Sequence, residues 1–240
     1  VTAAAINTLV ENKSAIKAPG GLIILSAQAA SRLQSGVVNN SGTIEATTSY
    51  DGIWNLNNGV INTLTNEASG FISGVSAGIY NNAAIGTLTN HGLISSTASY
   101  GIINYGTITT LANDGTITGP LDGVMNYGRI GNVSTATGLR NLADGNISSL
   151  NNAGVITGSA TAVLNEGTIT SLTNSGTITG PAFGVLNSGT IGTLTNSGTL
   201  SGTSAFNGLW NMGTGTIDTL SNSGSITGIN AAIWNNGHIG

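Results

Sequence analysis

Aliphatic residues recur along the chain at a nearly constant interval, and polar residues surround them in a constant order. Most of the steps span 22 to 24 residues. The step from Ile130 to Ile147 is shorter by about one strand, and the step from Ile191 to Ile217 is longer. The recurring positions are Ile61, Ile85, Ile108, Ile130, Ile147, Ile169, Ile191, Ile217 and Ile239. A fixed interval of this length indicates a solenoid.

Each repeat contains the same seven-residue phrase twice: aliphatic, any residue, Asn, any residue, Gly, any residue, aliphatic. Residues 172–178 and 185–191 are consecutive copies. Polar and apolar residues alternate around each aliphatic, as in Thr177-Ile178-Thr179, which favours short strands over helices. The 37 glycines recur in register and therefore mark corners. We predict an all-β fold, a parallel β-helix of about 22 residues per coil with coils about 4.8 Å apart.

The aliphatic columns should form the core of this β-helix. The inward residues of one coil are expected to be Ile169, Leu172, Ile178 and Val185. The Asn of each phrase should lie where the chain turns, so that stacked amides bond to corner backbone groups and to each other. The truncated coil around Val133 to Arg140 lacks one strand and should produce a local notch or bend.

Composition excludes several classes of function. Charged residues make up only 6% of the chain, and its net charge is −4 with five cationic residues, so no basic patch is available for nucleic acid. The chain has no cysteine, which excludes disulfides and thiolate metal sites. We expect no cofactor and no bound metal. No apolar run reaches the length of a membrane helix, so we expect no membrane insertion by this segment.

Two regions resemble secreted bacterial β-helices. Residues 12–30, leading into GlyValValAsnAsnSerGlyThrIleGluAla at 36–46, resemble the stalk of filamentous-haemagglutinin-like exoproteins exported by two-partner secretion. The later AsnSerGlyThrIle repeats resemble passenger regions of large bacterial autotransporters. The resemblance implies a right-handed helix with haemagglutinin-like coils in 1–45 and continuous repeats in 46–240. It also implies one structural domain of a longer protein, secreted or held at the outer membrane, often as an adhesin.

One column of residues is the main candidate for a binding surface. It follows the inward aliphatic in the second phrase of each repeat, where strand alternation points it outwards. Arg140 in this column supports exposure, since an unpaired buried Arg is costly. The column consists of Trp54, Tyr80, Ile103, Met125, Arg140, Leu164, Leu186, Trp210 and Trp234. Tyr105 and Tyr127 occupy a neighbouring outward corner, where they either extend the surface or simply form an aromatic ladder. The alternative is that a loop, a flanking domain or an inward turn of the corner covers the column.

Two other features suggest different functions. Thr pairs such as Thr63/Thr65 and Thr193/Thr195 resemble the faces of ice-binding β-solenoids, although Ala112 and other residues interrupt the array. Glu67, His91 and Asp114 fall at equivalent corners and suggest a polysaccharide-acting enzyme. A pure spacer stalk is the last alternative.

The expectation with the strongest support is a non-enzymatic adhesive segment of a bacterial exoprotein. It would attach cells, or associate with itself in aggregates and biofilm, through its exposed ladders. The expected partner is a host receptor, a glycan or another copy of the chain.

Overall fold

A computed structural model describes residues 8–18, 36–48, 50–56, 59–134 and 138–240. In these ranges the chain is all-β and forms a parallel β-solenoid of about eight turns, with about 23 residues per turn. The predicted fold class is confirmed. Residues 19–35 of the haemagglutinin-like segment and residues 135–137 of the truncated coil lie outside the described residues.

Three faces run along the solenoid, and successive strands of the described chain lie on one face after another, except that no face 2 strand lies between β15 and β16. Face 1 is a single sheet of eleven strands. In spatial order these are β1 (Thr8–Asn12), β3 (Gly36–Asn40), β6 (Val60–Asn66), β9 (Ala84–Asn90), β12 (Thr107–Asn113), β15 (Arg129–Ser134), β17 (Asn146–Asn152), β20 (Thr168–Asn174), β23 (Thr190–Asn196), β26 (Thr216–Asn222) and β29 (His238–Ile239).

Face 3 is a single sheet of nine strands. They are β5 (Ile53–Asn55), β8 (Ala77–Asn81), β11 (Tyr100–Asn104), β14 (Asp122–Asn126), β16 (Leu139–Asn141), β19 (Thr161–Asn165), β22 (Phe183–Asn187), β25 (Asn207–Asn211) and β28 (Ala231–Asn235).

Face 2 is divided in the described part of the chain into two separate sheets. The first contains β2 (Ala15–Ala18), β4 (Thr43–Ala46), β7 (Phe71–Gly74), β10 (Leu93–Ser96) and β13 (Thr116–Thr118). The second contains β18 (Val155–Thr157), β21 (Thr177–Gly180), β24 (Thr199–Gly202) and β27 (Ser225–Thr227). The division coincides with the truncated coil.

Equivalent aliphatic residues are register partners from coil to coil, as the repeat predicts. Ile169 pairs with Ile147 below and Ile191 above, and Ile178 pairs with Ile156 and Leu200. The inward residues predicted for this coil, Ile169, Leu172, Ile178 and Val185, are all fully buried. Each contributes about 1.5–3 kcal/mol of hydrophobic stabilisation. These columns form one continuous core along the described coils.

The Asn residues at the strand ends form two hydrogen-bonded ladders, in which Nδ2 of one Asn donates to Oδ1 of the next at 2.7–2.8 Å. The face 3 ladder runs through Asn55, Asn81, Asn104, Asn126, Asn141, Asn165, Asn187, Asn211 and Asn235. The face 1 ladder consists of Asn40, Asn66, Asn90 and Asn113, followed after a break by Asn152, Asn174, Asn196 and Asn222. The predicted amide stacking is confirmed.

None of the described residues belongs to a helix long and apolar enough to cross a membrane.

Candidate functional site

The nine residues of the predicted column form one continuous outer row on face 3, called the stripe below. Each is the register partner of the next, from Trp54 against Tyr80 to Trp210 against Trp234. Most are half-buried, because neighbouring coils stack only one strand spacing apart and cover part of each side chain. The stripe is therefore an outward row of packed side chains with one edge in solvent.

Aromatic rings gather at the amino-terminal end of the stripe in a group called the amino-terminal patch. Trp54 meets Tyr80 edge to face at 5.7 Å between ring centroids. Tyr80 then lies 5.5 Å from Tyr105. Tyr105 and Tyr127 stack almost parallel, at 4.4 Å and 5°. Each of these two tyrosines thus covers one ring face of the other, and Tyr105 remains 44% exposed.

This stacking changes the acidity of the patch. Burial, together with the hydrogen bond and charge of Tyr127, raises the pKa of Tyr105 to about 12. Burial also raises the pKa of Tyr80 and of Tyr100. The phenols of these three residues therefore stay neutral at ordinary pH.

A second aromatic group, called the carboxy-terminal patch, lies at the other end of the stripe. Phe183 stacks on Phe206 at 5.1 Å and lies 5.3 Å from Trp210. Trp210 and Trp234 are tilted at 49° with their centroids 6.4 Å apart. Phe206 is 45% exposed, so this patch also presents aromatic surface to solvent.

The two patches are separated by a stretch of the stripe without aromatic residues. Met125, Arg140, Leu164 and Leu186 occupy it. Arg140 is half-buried, which agrees with its predicted outward position. Burial raises the pKa of nearby Asp122, and the charge of Arg140 lowers that pKa by a smaller amount. The stripe is therefore two apolar patches joined by an aliphatic stretch with one cation.

Sequence reasoning missed three residues of these patches: Tyr100, Phe183 and Phe206. Strict alternation places Tyr100 on the same side as inward Ile102, yet Tyr100 packs with Ile103 in a cluster outside the main core. Tyr100 pairs with Asp122 and Ile102 with Val124, and Gly101 between them is left out of the pairing. Gly184 lies in the same way between Phe183 and Val185, which pair with Thr161 and Val163. A glycine between an aromatic and the inward aliphatic was the signal, because it interrupts the alternation of the strand.

The predicted catalytic corner is only partly assembled. His91 Nδ1 lies 2.6 Å from Asp114 Oδ1, and both side chains are exposed at 40% and 72%. Among the described residues no group of three or more His, Asp or Glu side chains lies close enough to hold a metal ion, so Glu67 does not complete such a site. A shallow cavity of about 200 Å³ adjoins the pair.

The Thr pairs lie on the outer side of face 1 as the alternation predicts. Thr193 pairs with Ser171 below and Thr219 above, while Thr195 pairs with Thr173 and Ser221. The interruptions seen in the sequence remain in the three-dimensional array, including Ala112 beside Thr89. Face 1 is thus a hydroxyl-rich polar surface, chemically unlike face 3.

Comparison of the chain with protein families, with curated proteins and with solved structures gives no match in any of the three.

Proposed function

We propose that the chain is a non-enzymatic structural and adhesive segment of a secreted or surface-held bacterial exoprotein. It attaches to cells or to further copies of itself through the stripe on face 3. The observation that carries this proposal is the continuous outer register of the stripe with an aromatic patch at each end. Exposed clustered apolar surface on a soluble scaffold is typical of interaction sites.

The geometry of the rings favours a protein partner over a glycan. Sugar rings stack on free aromatic faces, whereas Tyr105 and Tyr127 cover each other at 4.4 Å. The stack takes up one face of each ring, and exposed ring edges and hydroxyl groups suit packing against another protein surface and hydrogen bonding at its rim. A receptor or a second copy of the chain is therefore the proposed partner.

The mechanism is multivalent contact along a rigid row. Each patch supplies a few weak contacts, and the continuous sheet of face 3 holds the patches at a constant separation. Two weak contacts on one rigid body raise the effective concentration of the second after the first has formed. Affinity would then depend on both patches together, and a change in one would cost most of the avidity.

The resemblance to haemagglutinin-like stalks and autotransporter passengers supports the bacterial surface as the place of action. The low charge and the long, unbroken faces 1 and 3 also suit a projecting module that carries no chemistry of its own. The exposed His91–Asp114 pair is compatible with that role, because a solvated side-chain contact at a corner stabilises little and needs no substrate.

The test is attachment of the purified chain to bacterial cells that express it, to host cells and to a glycan array. The variant carries Trp54→Ser, Trp210→Ser and Trp234→Ser together, and a matched control carries Thr65→Ala, Thr195→Ala and Thr219→Ala on face 1. We expect the Trp variant to lose attachment while its circular dichroism stays that of a β-solenoid, and the control to attach normally. Normal attachment by the Trp variant would exclude the stripe, and no attachment by the wild type would leave a spacer stalk.

A further inference from the structure

The stripe shows the same order of residue classes when it is followed from either end. Arg140 is the fifth of its nine residues. At one and two coils below and above Arg140 the stripe is aliphatic or Met, and at three and four coils it is aromatic. The matching pairs are Met125 and Leu164, Ile103 and Leu186, Tyr80 and Trp210, and Trp54 and Trp234. The stripe is therefore a palindrome of residue classes centred on Arg140.

The polar residues beside the stripe are also matched about Arg140, with donors opposite acceptors. One coil below Arg140, Asp122 lies three residues before the stripe residue of its strand, and Tyr127 lies two residues after it. One coil above Arg140, the same two positions hold Thr161 and Glu166. At both positions a carboxylate on one side of the centre thus corresponds to a hydroxyl group on the other side.

Antiparallel contact between two copies through face 3 uses this symmetry. A two-fold axis that passes Arg140 and is perpendicular to the solenoid sets each coil below Arg140 against the matching coil above it, with every column facing itself. Met125 then faces Leu164 of the second copy, and Asp122 faces Thr161 of the second copy. Parallel contact sets each residue against itself and needs no symmetry within the chain. The palindrome is therefore specific to the antiparallel arrangement.

Arg140 determines the register of this contact. A shift by one coil would cover its guanidinium group with Met125 or Leu164 of the second copy, and an unpaired buried charge is costly. In the symmetric register the two guanidinium groups meet near carboxylates of both copies. Asp122 lies one coil below and close enough for Arg140 to lower its pKa, and exposed Glu166 lies one coil above. The charges at the centre are thus complementary, with carboxylates of the second copy on both sides of each cation.

The described part of face 3 is large enough for such a dimer. Nine strands give the stripe a length of eight strand spacings, which is about 38 Å. A five-residue strand such as Phe183–Asn187 gives a width of about 16 Å. The contact would cover about 600 Å² on each copy, or about 1,200 Å² in total, which is the lower limit for specific protein interfaces.

We propose that two copies of the chain associate antiparallel through face 3, with Arg140 of each copy at the two-fold axis. The inference rests on the proposed function, because it takes the stripe as the attachment surface and names a second copy as its partner. The amino-terminal patch of each copy packs on the carboxy-terminal patch of the other. Both patches are then engaged at once, and this supplies the avidity of two contacts on one rigid body. Antiparallel contact suits chains that project towards each other from two cells.

Sedimentation equilibrium of the full chain tests the association, and an introduced charge pair tests its direction. We expect the wild type to dimerise with a Kd of about 1–100 μM. Met125→Lys sets a cation against Leu164 of the second copy, and Leu164→Glu sets a carboxylate against Met125. Each single variant should raise the Kd by about 100-fold or more, because the dimer contains the unpaired charge twice. The double variant should return to within about tenfold of the wild type, because each lysine then faces a glutamate.

The direction of pairing and the choice of face have their own controls. In a parallel dimer the double variant would set lysine against lysine and would stay monomeric. Thr195→Lys introduces the same charge on face 1 and should dimerise as the wild type does. The circular dichroism of every variant should remain that of a β-solenoid. A wild type that is monomeric at about 100 μM, a dimer that Met125→Lys leaves intact, or a double variant as weak as the single ones would overturn the proposal.

The attachment test separates this inference from the proposed function. If a monomeric wild type attaches to host cells through the stripe, the pairing is overturned and the adhesive function remains with a receptor as partner. If the chain dimerises with the expected response to the charge pair and attaches to no cell, the pairing is supported and the attachment function is overturned.

Discussion

The two Asn ladders have the same chemistry, yet one is continuous and the other is broken. The face 3 ladder passes through the truncated coil, where Asn126 donates to Asn141 and Asn141 donates to Asn165, each at 2.8 Å. The face 1 ladder stops at Asn113 and starts again at Asn152. The difference shows that one coil can lose its face 2 strand while faces 1 and 3 remain in register.

Both faces keep their register although the truncated coil is short. Five residues lie between Val133 and Leu139, against 12 at the equivalent place in each neighbouring coil. Val133 still pairs on face 1 and Leu139 on face 3 with the coils below and above. The core columns remain continuous, and the cost of the deletion is concentrated in the ends of the broken ladder.

Breaking the core that underlies both ladders should have the largest effect. Ile178→Asp places a carboxylate at a fully buried position in the aliphatic column. We expect the free energy of unfolding to fall by more than about 4 kcal/mol, because the new charge has no partner. Urea denaturation measures this loss. Thr177→Asp, on the adjacent outward residue, serves as the control and should change stability by less than about 1 kcal/mol.

The two ladders should also respond differently to the same truncation. Asn187→Ala leaves both Asn165 Nδ2 and Asn211 Oδ1 without their ladder partners, and should cost about 2–4 kcal/mol. Asn152→Ala removes a bond on one side only, because its Oδ1 has no partner to lose, and should cost about half as much. Equal losses in urea denaturation would show that the break in the ladder has no energetic consequence.

The stability of the protein near the truncated coil should depend on pH through Asp122. Burial raises the pKa of Asp122, against the smaller lowering effects of its Ser159 hydrogen bonds and of Arg140. Because the folded-state pKa is raised above the ordinary value of 3.8, the protonated carboxyl of Asp122 contributes its full stability below pH 3.8. This contribution is lost as the pH rises through the folded-state pKa. Asp122→Asn keeps the acceptor for Ser159 and should therefore be more stable than the wild type at neutral pH.

Urea denaturation of both proteins across acid and neutral pH checks this expectation. The advantage of Asp122→Asn should shrink on acidification, because the wild-type carboxyl is then neutral as well. The comparison isolates Asp122 from buried Asp51, whose pKa burial also raises and which both proteins retain. An advantage that does not change with pH would contradict the assignment.

The tyrosine stack beside the face 3 ladder should show the smallest effect. Tyr105 should ionise at about pH 12, and Tyr127→Phe should lower that pKa because it removes the hydrogen bond and charge of Tyr127. The neutral phenol of Tyr105 contributes its full stability below about pH 10, and this contribution is lost as the pH rises towards 12. The ultraviolet absorbance of tyrosinate follows the titration. Tyr50→Phe, on an exposed tyrosine outside the stack, should leave the high-pH step unchanged.

Much of the fold was predictable because every coil repeats the same phrase. The aliphatic columns, the Asn stacking and the shortened coil all follow from register alone. The outer positions of Tyr100 and Phe183 did not follow, because a glycine interrupts strand alternation beside each of them. The bond from Ser159 to Leu121 was also unpredictable, because it joins residues of coils that are not adjacent in the repeat.

The candidate surface was predictable only as a column. Sequence spacing places Trp54, Tyr80 and Trp210 in one row, but it does not determine the orientation of each ring or its overlap with the neighbouring ring. The parallel stack of Tyr105 on Tyr127 depends on side-chain rotation, and it decides whether faces or edges reach solvent. Recognition of a sugar or of a protein therefore depends on a feature that the repeat does not encode.

The most direct test of the proposed adhesive role is photo-crosslinking from two positions on consecutive strands of the chain, one on face 3 and one on face 1. A photoreactive amino acid replaces Leu186 in the stripe on face 3 or Thr195 on face 1, both half-buried outer positions. The purified variants are irradiated on cells to which the wild type attaches and in solution with tagged wild-type chain. Adducts from position 186 and none from position 195 are the predicted result. Adducts from position 195 alone, or equal yields from the two positions, would contradict the assignment of attachment to face 3.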